Sequence, residues 1–391
     1  MRSATSSGTT PSASTNSMRR WPDQGPLATP RTIEREDTML RRLQLVTGLV
    51  LSLALFAACG SDDPTPTPVP AQPTPTPEPE VIELEMISAW AEGIALETVG
   101  DQTIIDAVAD ASNGRIRVVR AGGPEAVPTF QQLVPTRDGL FDWNSTTCAY
   151  HPDFTSLGCG WVGIKGSLDS RVACGMYDLM EEIYEDLAGV KFIGGVSVRV
   201  GSRTYLTKPV DPATGRLDGI KLRAAGPTAT AWVEALGGTA VAMPIPELYE
   251  ALDRGLVEGG TIGGGAQLAV QFGWHEHFKY VVEQPVGSGF LTHLMNLDTW
   301  NSLEPDLQQA VIDGMTLANH KTAAEFYRLD QEGLQTMIDT GVELITLTNE
   351  AAQQVDSTFA NIQLDFMEES EPAEYVQRLR ETTTCVQNAT G

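Results

Sequence analysis

The sequence predicts an α/β protein of two lobes, on three observations. Between residues 217 and 267, short strands alternate with short helices. About 310 residues follow a Pro/Thr linker, more than a single core usually serves. From 304 to 341 an apolar repeat predicts one helix of about 55 Å, longer than either lobe is wide.

Residues 1–38 are rich in Ser, Thr, Pro and Arg and show no apolar periodicity, and Met39 reads as the initiator. Arg41-Arg42, the apolar run 43–55 and Phe56-Ala57-Ala58-Cys59-Gly60 then form an export signal. Small residues before a cysteine resemble a bacterial lipobox, which makes Cys59 the lipidated first residue of the mature chain. The alternative is an ordinary signal peptide or membrane anchor, although the apolar run is short for a span. Residues 61–80 carry PTPTPVPAQPTPTPEPE, an extended polyproline-like spacer. At about 3.1 Å per residue it reaches some 60 Å.

The whole chain carries a net charge of −25, and removing residues 1–58, with seven Arg and four acidic residues, takes it to −28. Such a surface argues against nucleic acid as a partner. An anionic small molecule stays open, because a few arginines in a closed cleft set the local field. Beyond Cys59 the chain has Cys148, Cys159, Cys174 and Cys385. Four cysteines outside the cytoplasm predict two disulfides in one of three pairings. Cys159 with Cys174, closing the loop 160–173, is favoured, which leaves Cys148 with Cys385. These spacings do not suit zinc, and neither metal nor cofactor is expected.

Ile82-Glu83-Leu84-Glu85-Met86-Ile87 alternates as a strand and leads into Ser88-Ala89-Trp90. A helix over 98–111 turns Ile104, Ile105, Val108 and Ala111 inward. Asn113-Gly114 then turns into a strand over 115–120. Strands are also expected at 196–199 and 202–207, the second containing Arg203, and at 290–296. In the helix 304–341, Leu307, Val311, Met315, Ala318, Phe326 and Leu329 share a face, with Gly314 or Gly333 as a bending point. Acidic amphipathic helices over 350–380 read as surface cover.

The central stretch carries the chemistry. Ile220-Lys221-Leu222-Arg223 is a strand broken by Gly226-Pro227, and Pro227 suits the first helical position, where its missing N–H is not needed. Ala229, Trp232, Val233 and Leu236 make the apolar face of the helix, and Gly237 follows its end. A strand at 239–243, a helix opened by Pro246 and a strand at 256–262 complete two crossovers of a parallel sheet. Ligands of such sheets collect at the carboxyl ends of the strands. Arg223 stands at one such end, just before a helix N-terminus, where the dipole and a bidentate guanidinium both favour a carboxylate. Arg223 in a surface salt bridge is the competing interpretation. Gly263-Gly264-Gly265 lacks the Lys-Ser or Lys-Thr of a phosphate loop. No Gly-x-Ser-x-Gly elbow appears and the histidines, His275 and His277 included, are scattered, so no enzyme is expected.

Lys221-Leu222-Arg223, Leu236-Gly237-Gly238, Met243-Pro244 and the run from Glu247-Leu248-Tyr249-Glu250 to Val257-Glu258-Gly259 resemble the signature of the DctP-like solute-binding proteins of TRAP transporters. Weaker similarity extends over 81–370. The resemblance implies a periplasmic-binding-protein type II fold with a long helix running along both lobes. It also implies capture of an organic-acid anion in the cleft and delivery to integral-membrane permease subunits. By residue, it implies Arg223 as carboxylate clamp with Arg203 beside it, Trp90 and Tyr150 lining the cleft, and Asn144 and Trp143 on a strand toward it, with His293 and Asn296 as lesser candidates. Many relatives have a polar residue where this chain has Ile262, so Ile262 and Gly263 are expected beside an apolar tail of the ligand. Residues 81–200 with 289–329 form the expected first lobe, and 201–288 with 330–391 the second. Service to a sensor or another transporter class stands as the alternative, and a ligand-free structural lipoprotein as a third reading.

Overall fold

The computed structural model describes residues 80–160, 162, 166–197 and 200–390. The export signal, Cys59 and the linker up to residue 79 lie outside them. The described strands are β1 (Ile82–Ser88), β2 (Ile116–Gly122), β3 (Trp143–Thr146), β4 (Val190–Ser197), β5 (Arg203–Leu206), β6 (Lys221–Ala224), β7 (Thr239–Ala242), β8 (Gly259–Ile262), β9 (Tyr280–Val282), β10 (Phe290–Asn296) and β11 (Glu343–Ile345). They build two sheets, ordered β2-β1-β3-β10-β4 and β11-β9-β5-β8-β6-β7.

The parallel pairs arise where the sequence alternates strand and helix. β1 runs parallel to β2 and β3, and β6 to β7 and β8. Helices Gln102–Ala111 and Gly226–Ala235 fill the crossovers β1–β2 and β6–β7. The first turns Ile104, Ala107 and Val108 into the core, and the second Trp232 and Val233, as the apolar spacing requires. The antiparallel members are the strands beside the passages between sheets. β10 lies between β3 and β4, and β5 between β8 and β9. The chain passes from the first sheet to the second between β4 and β5, and returns between β9 and β10. Ser202 and Val286, one in each passage, exchange N–H···O bonds of 2.8 Å in both directions.

The long helix Pro305–Asp339 serves both lobes, as expected. In its first half Asn319 Nδ2 donates to the Gly195 carbonyl of β4 at 2.6 Å, and in its second half Asp330 accepts from the Ala266 N–H at 2.8 Å. The glycines proposed as bending points have another use. A Cβ on Gly314 would lie 2.8 Å from the Val108 Cα, and one on Gly333 2.2 Å from the Gln267 N. Each is where another helix comes within backbone contact, and only a residue without a side chain admits that approach.

Two expectations are corrected. The disulfides are Cys148–Cys159 and Cys174–Cys385. Cys174 closes the short helix Leu168–Ala173 and meets the carboxyl-terminal helix Ala373–Thr390, a neighbour that local spacing does not reveal. That helix also belongs elsewhere than expected. Its Tyr375, Val376, Leu379 and Val386 share a core with Met176, Met180, Tyr184 and Phe192, so residues 373–390 pack on the first lobe rather than the second.

Candidate ligand-binding site

A cavity of about 130 Å³ is walled by elements of both sheets. Trp90, Tyr150, Phe290 and Leu291 come from the first side; Arg223, Thr228, Ile245, Thr261 and Gly263 come from the second. Gly263 keeps the wall thin beside the passage between sheets, where an added Cβ would stand 3.3 Å from Ser202 Oγ.

Arg223 sits in β6, where the burial runs from an exposed Lys221 to the buried Leu222, Arg223 and Ala224. Only 1% of its surface is exposed. Two carbonyls at the carboxyl ends of neighbouring parallel strands hold the fork: Nε donates to Met243 O at 2.9 Å and Nη1 to Thr261 O at 3.0 Å. Nη2 is buried without a hydrogen-bond partner. The Tyr150 hydroxyl lies within weak hydrogen-bonding reach of the guanidinium, short of a well-formed bond to Nη2, and beside the Ile245 backbone N–H. Burial pushes Arg223 below its ordinary value and Tyr150 opposes that, while no carboxylate among the described residues does so. A guanidinium remains charged in proteins, so this is a buried cation whose countercharge the surrounding side chains do not supply. The helix Gly226–Ala235 begins three residues later and brings Thr228 and Ala229 of its first turn to the same cavity. Unpaired N–H groups of a first turn favour an anion.

Trp90 is fixed from behind by a polar cluster. Its indole N–H donates to Ser145 Oγ at 3.2 Å, its backbone N–H to Ser88 Oγ at 3.1 Å, and its carbonyl accepts from Arg120 at 2.8 Å. Both hydroxyls donate to Asp101, Ser145 at 2.5 Å and Ser88 at 2.6 Å. Burial pushes the Asp101 carboxyl up to about 7, against those hydrogen bonds and the charge of Arg120. The Trp90 and Tyr150 rings stand 5.9 Å apart, and Phe130 meets Tyr150 edge-on at 5.1 Å.

The structure brings Arg223, Trp90, Tyr150 and Gly263 together and leaves the other expected residues out of the cavity wall. Arg203 is bound to Asp330 of the long helix, Nη2 to Oδ2 at 2.9 Å, and to the Glu283 carbonyl. A buried carboxylate needs a cation, and Asp330, 0% exposed, takes this one. Asn144 donates from within the first sheet to Ile87 O and Gln132 Oε1, both at 3.3 Å. Ile262 is fully buried in the core, while its neighbours Thr261 and Gly263 line the cavity. Trp143 donates to His293 Nδ1 at 3.1 Å inside the sheet, and Asn296 caps the helix Leu297–Ser302. His275 faces the Ala269 carbonyl and His277 the Tyr249 ring. Among the described residues no three His, Cys, Asp or Glu converge as metal ligands.

Sequence reasoning missed the Cys148–Cys159 disulfide, Phe359 and Gln363, which also line the cavity. The signal for Gln363 was present. Ala351, Val355, Phe359, Gln363 and Met367 recur every fourth residue as the buried face of the helix Asn349–Ser370, and a carboxamide in that stripe calls for a partner.

A two-lobed α/β frame with a buried cation on a cavity between its sheets defines a protein that holds a small ligand. Residues 176–370 match the DctP family, described as bacterial extracellular solute-binding protein, family 7, and the chain is a solute-binding protein of that family. The monocarboxylate 2-oxoacid-binding periplasmic protein of Nostoc sp. is 22% identical over 307 residues, covering 74% of this chain and 79% of the relative. Among solved structures, a TRAP transporter solute-binding protein of Bordetella bronchiseptica RB50, with calcium and picolinate, matches with a TM-score of 0.70 at 16% identity, over 80% of this chain and 94% of the other. One from Desulfovibrio salexigens with bound orotic acid matches with a TM-score of 0.69 at 16% identity, over 78% and 99%. The fold is that of these neighbours, the two-lobed type II arrangement. The family and the neighbours are binding proteins, not enzymes. Among the described residues no helix is long and apolar enough to cross a membrane.

Proposed function

We propose that this protein captures a small organic-acid anion in the cavity between its lobes and delivers it to a TRAP-type membrane permease. The observation that carries the reading is the Arg223 fork, held by two strand-end carbonyls with Nη2 unpartnered at the wall of a largely apolar cavity. A carboxylate there gains a charge-assisted hydrogen bond in a dry setting and supplies the missing countercharge. Tyr150 and the first turn of the helix Gly226–Ala235 complete its surroundings. Because the wall is drawn from both sheets, a bound anion favours the closed arrangement of the lobes by its differential affinity for it. The relatives' ligands, picolinate and orotate among them, are acids of the same size class. Lipidation at Cys59, with the 61–80 linker as spacer, would hold the binding domain near such a permease.

Calorimetric titration with a panel of small acids tests the clamp. Arg223→Gln, which keeps hydrogen-bonding capacity but not the charge, is expected to weaken binding about 100-fold or more. Arg223→Lys, a point charge without the fork, should still lose roughly tenfold. Affinity within threefold of the parent in Arg223→Gln contradicts the assignment.

A further inference from the structure

The identity of the ligand is constrained further by what the cavity wall offers and what it lacks. Among the described residues Arg223 is the single charged side chain in the wall; no Asp or Glu lines it. Arg203, the other cation expected there, is spent on Asp330. Among the described residues a second carboxylate on the ligand would therefore meet no countercharge, and an ammonium group none either. Most of the remaining wall is apolar: Trp90, Leu96, Ile245, Phe290, Leu291 and Phe359.

The hydroxyl-bearing side chains Thr147, Tyr150, Ser202, Thr228, Thr261 and Ser288 interrupt that surface, and so does one carboxamide. Gln363 is 3% exposed; its Nε2 donates to the Cys159 carbonyl, which fixes the carboxamide, and its Oε1 is buried with no partner. It stands one helical turn after Phe359, and both residues are part of the cavity wall. The site thus holds two unsatisfied polar atoms of opposite kind, a donor at Arg223 Nη2 and an acceptor at Gln363 Oε1.

We propose that the ligand is a compact monocarboxylate with an apolar ring or branched body, whose far end carries a hydroxyl or N–H group that donates to Gln363 Oε1. The proposal rests on the clamp reading of Arg223 and adds its own claim about the far end. A cavity of about 130 Å³ suits a body of one small ring, since apolar cavities near 150 Å³ accept benzene. The selectivity follows from asymmetry: leaving the buried oxygen unpaired is costly, so the site rewards a donor and rejects the analogue without one.

The test is a cycle of ligand against side chain, read by calorimetry on the purified protein with benzoate, its hydroxy isomers, phthalate and phenylalanine as probes. In the parent protein one hydroxybenzoate should bind about tenfold tighter than benzoate, and phthalate and phenylalanine at least tenfold more weakly than benzoate. Gln363→Met, of similar volume but unable to accept strongly, should bring the ratio of hydroxybenzoate to benzoate affinity to within about twofold, whatever it does to benzoate affinity itself. Gln363 also borders a second cavity of about 250 Å³ with Arg380 and Thr383. A hydroxyl preference unmoved by Gln363→Met assigns the carboxamide to that cavity and overturns the proposal. So does phthalate binding as tightly as benzoate, a result the parent protein gives even if the variant does not fold. Loss of benzoate affinity in Arg223→Gln together with an unmoved hydroxyl preference in Gln363→Met separates failure here from failure of the clamp.

Discussion

Asp101 does not line the cavity, yet through Ser88 and Ser145 it holds Trp90, which does. Burial lifts its carboxyl from the ordinary value of 3.8 to about 7. The folded chain therefore keeps this proton at pH values where the unfolded chain has lost it. Stability from this group is full below about pH 4, falls as pH rises toward 7, and is level beyond, a difference on the order of 4 kcal/mol. Asp101→Asn removes the titration. Urea unfolding at pH 5 and pH 8 should show the parent losing stability relative to the variant at the higher pH, and a constant difference contradicts it. Residues of this kind were hard to foresee. The place of Arg223 at a cavity wall was legible because a strand end, a following helix N-terminus and the Lys221-Leu222-Arg223 motif coincide on it. The pairing of Arg203 was not legible, because its partner Asp330 lies 127 positions away. A carboxylate one turn beyond Phe326, on the buried stripe of the long helix, was the available warning that some arginine would be claimed.

At the level of elements, the alternating strands and helices from 217 to 267 and the helix 304–341 appeared close to their expected bounds, because apolar periodicity is a local property. The order of strands across a sheet and the pairing of cysteines depend on which distant segments meet, and neither was readable that way. The helix glycines show the same divide. Their presence was plain, but their purpose depends on helices from elsewhere in the chain: Val108 for Gly314, and Ala266 and Gln267 for Gly333. This separates two classes of Gly→Ala substitution. At Gly333 an added Cβ meets Gln267 N at 2.2 Å and Ala266 C at 2.6 Å, both backbone atoms that yield only if the helices move apart. Gly341, past the end of the long helix, has φ +97° and open space around it. Gly341→Ala should cost about 1 kcal/mol through its backbone conformation alone. Gly333→Ala should cost about 2–3 kcal/mol net of its gain in helix propensity. Denaturant midpoints compared at equal m-value decide the order, and a smaller loss at Gly333 would mean that the Ala266–Gln271 helix is free to shift.

At the scale of the whole molecule, an anion must approach a chain of net charge −25 to reach one buried guanidinium. The two fields differ in range. Surface carboxylates act through solvent and are screened over about 30 Å at 0.01 M salt and about 8 Å at 0.15 M. Arg223, hydrogen-bonded inside the wall, acts at contact, where salt screens little. Raising ionic strength should therefore remove repulsion from the encounter while leaving the bound contact nearly intact. Association measured by stopped-flow tryptophan fluorescence, with Trp90 in the cavity wall as a reporter, should speed up several-fold between about 0.01 M and 0.15 M salt. Dissociation should change by less than about twofold, so affinity should tighten with salt, the reverse of an electrostatically steered pair. An association rate that falls with added salt would mean that a local positive field at the mouth of the cavity outweighs the acidic surface.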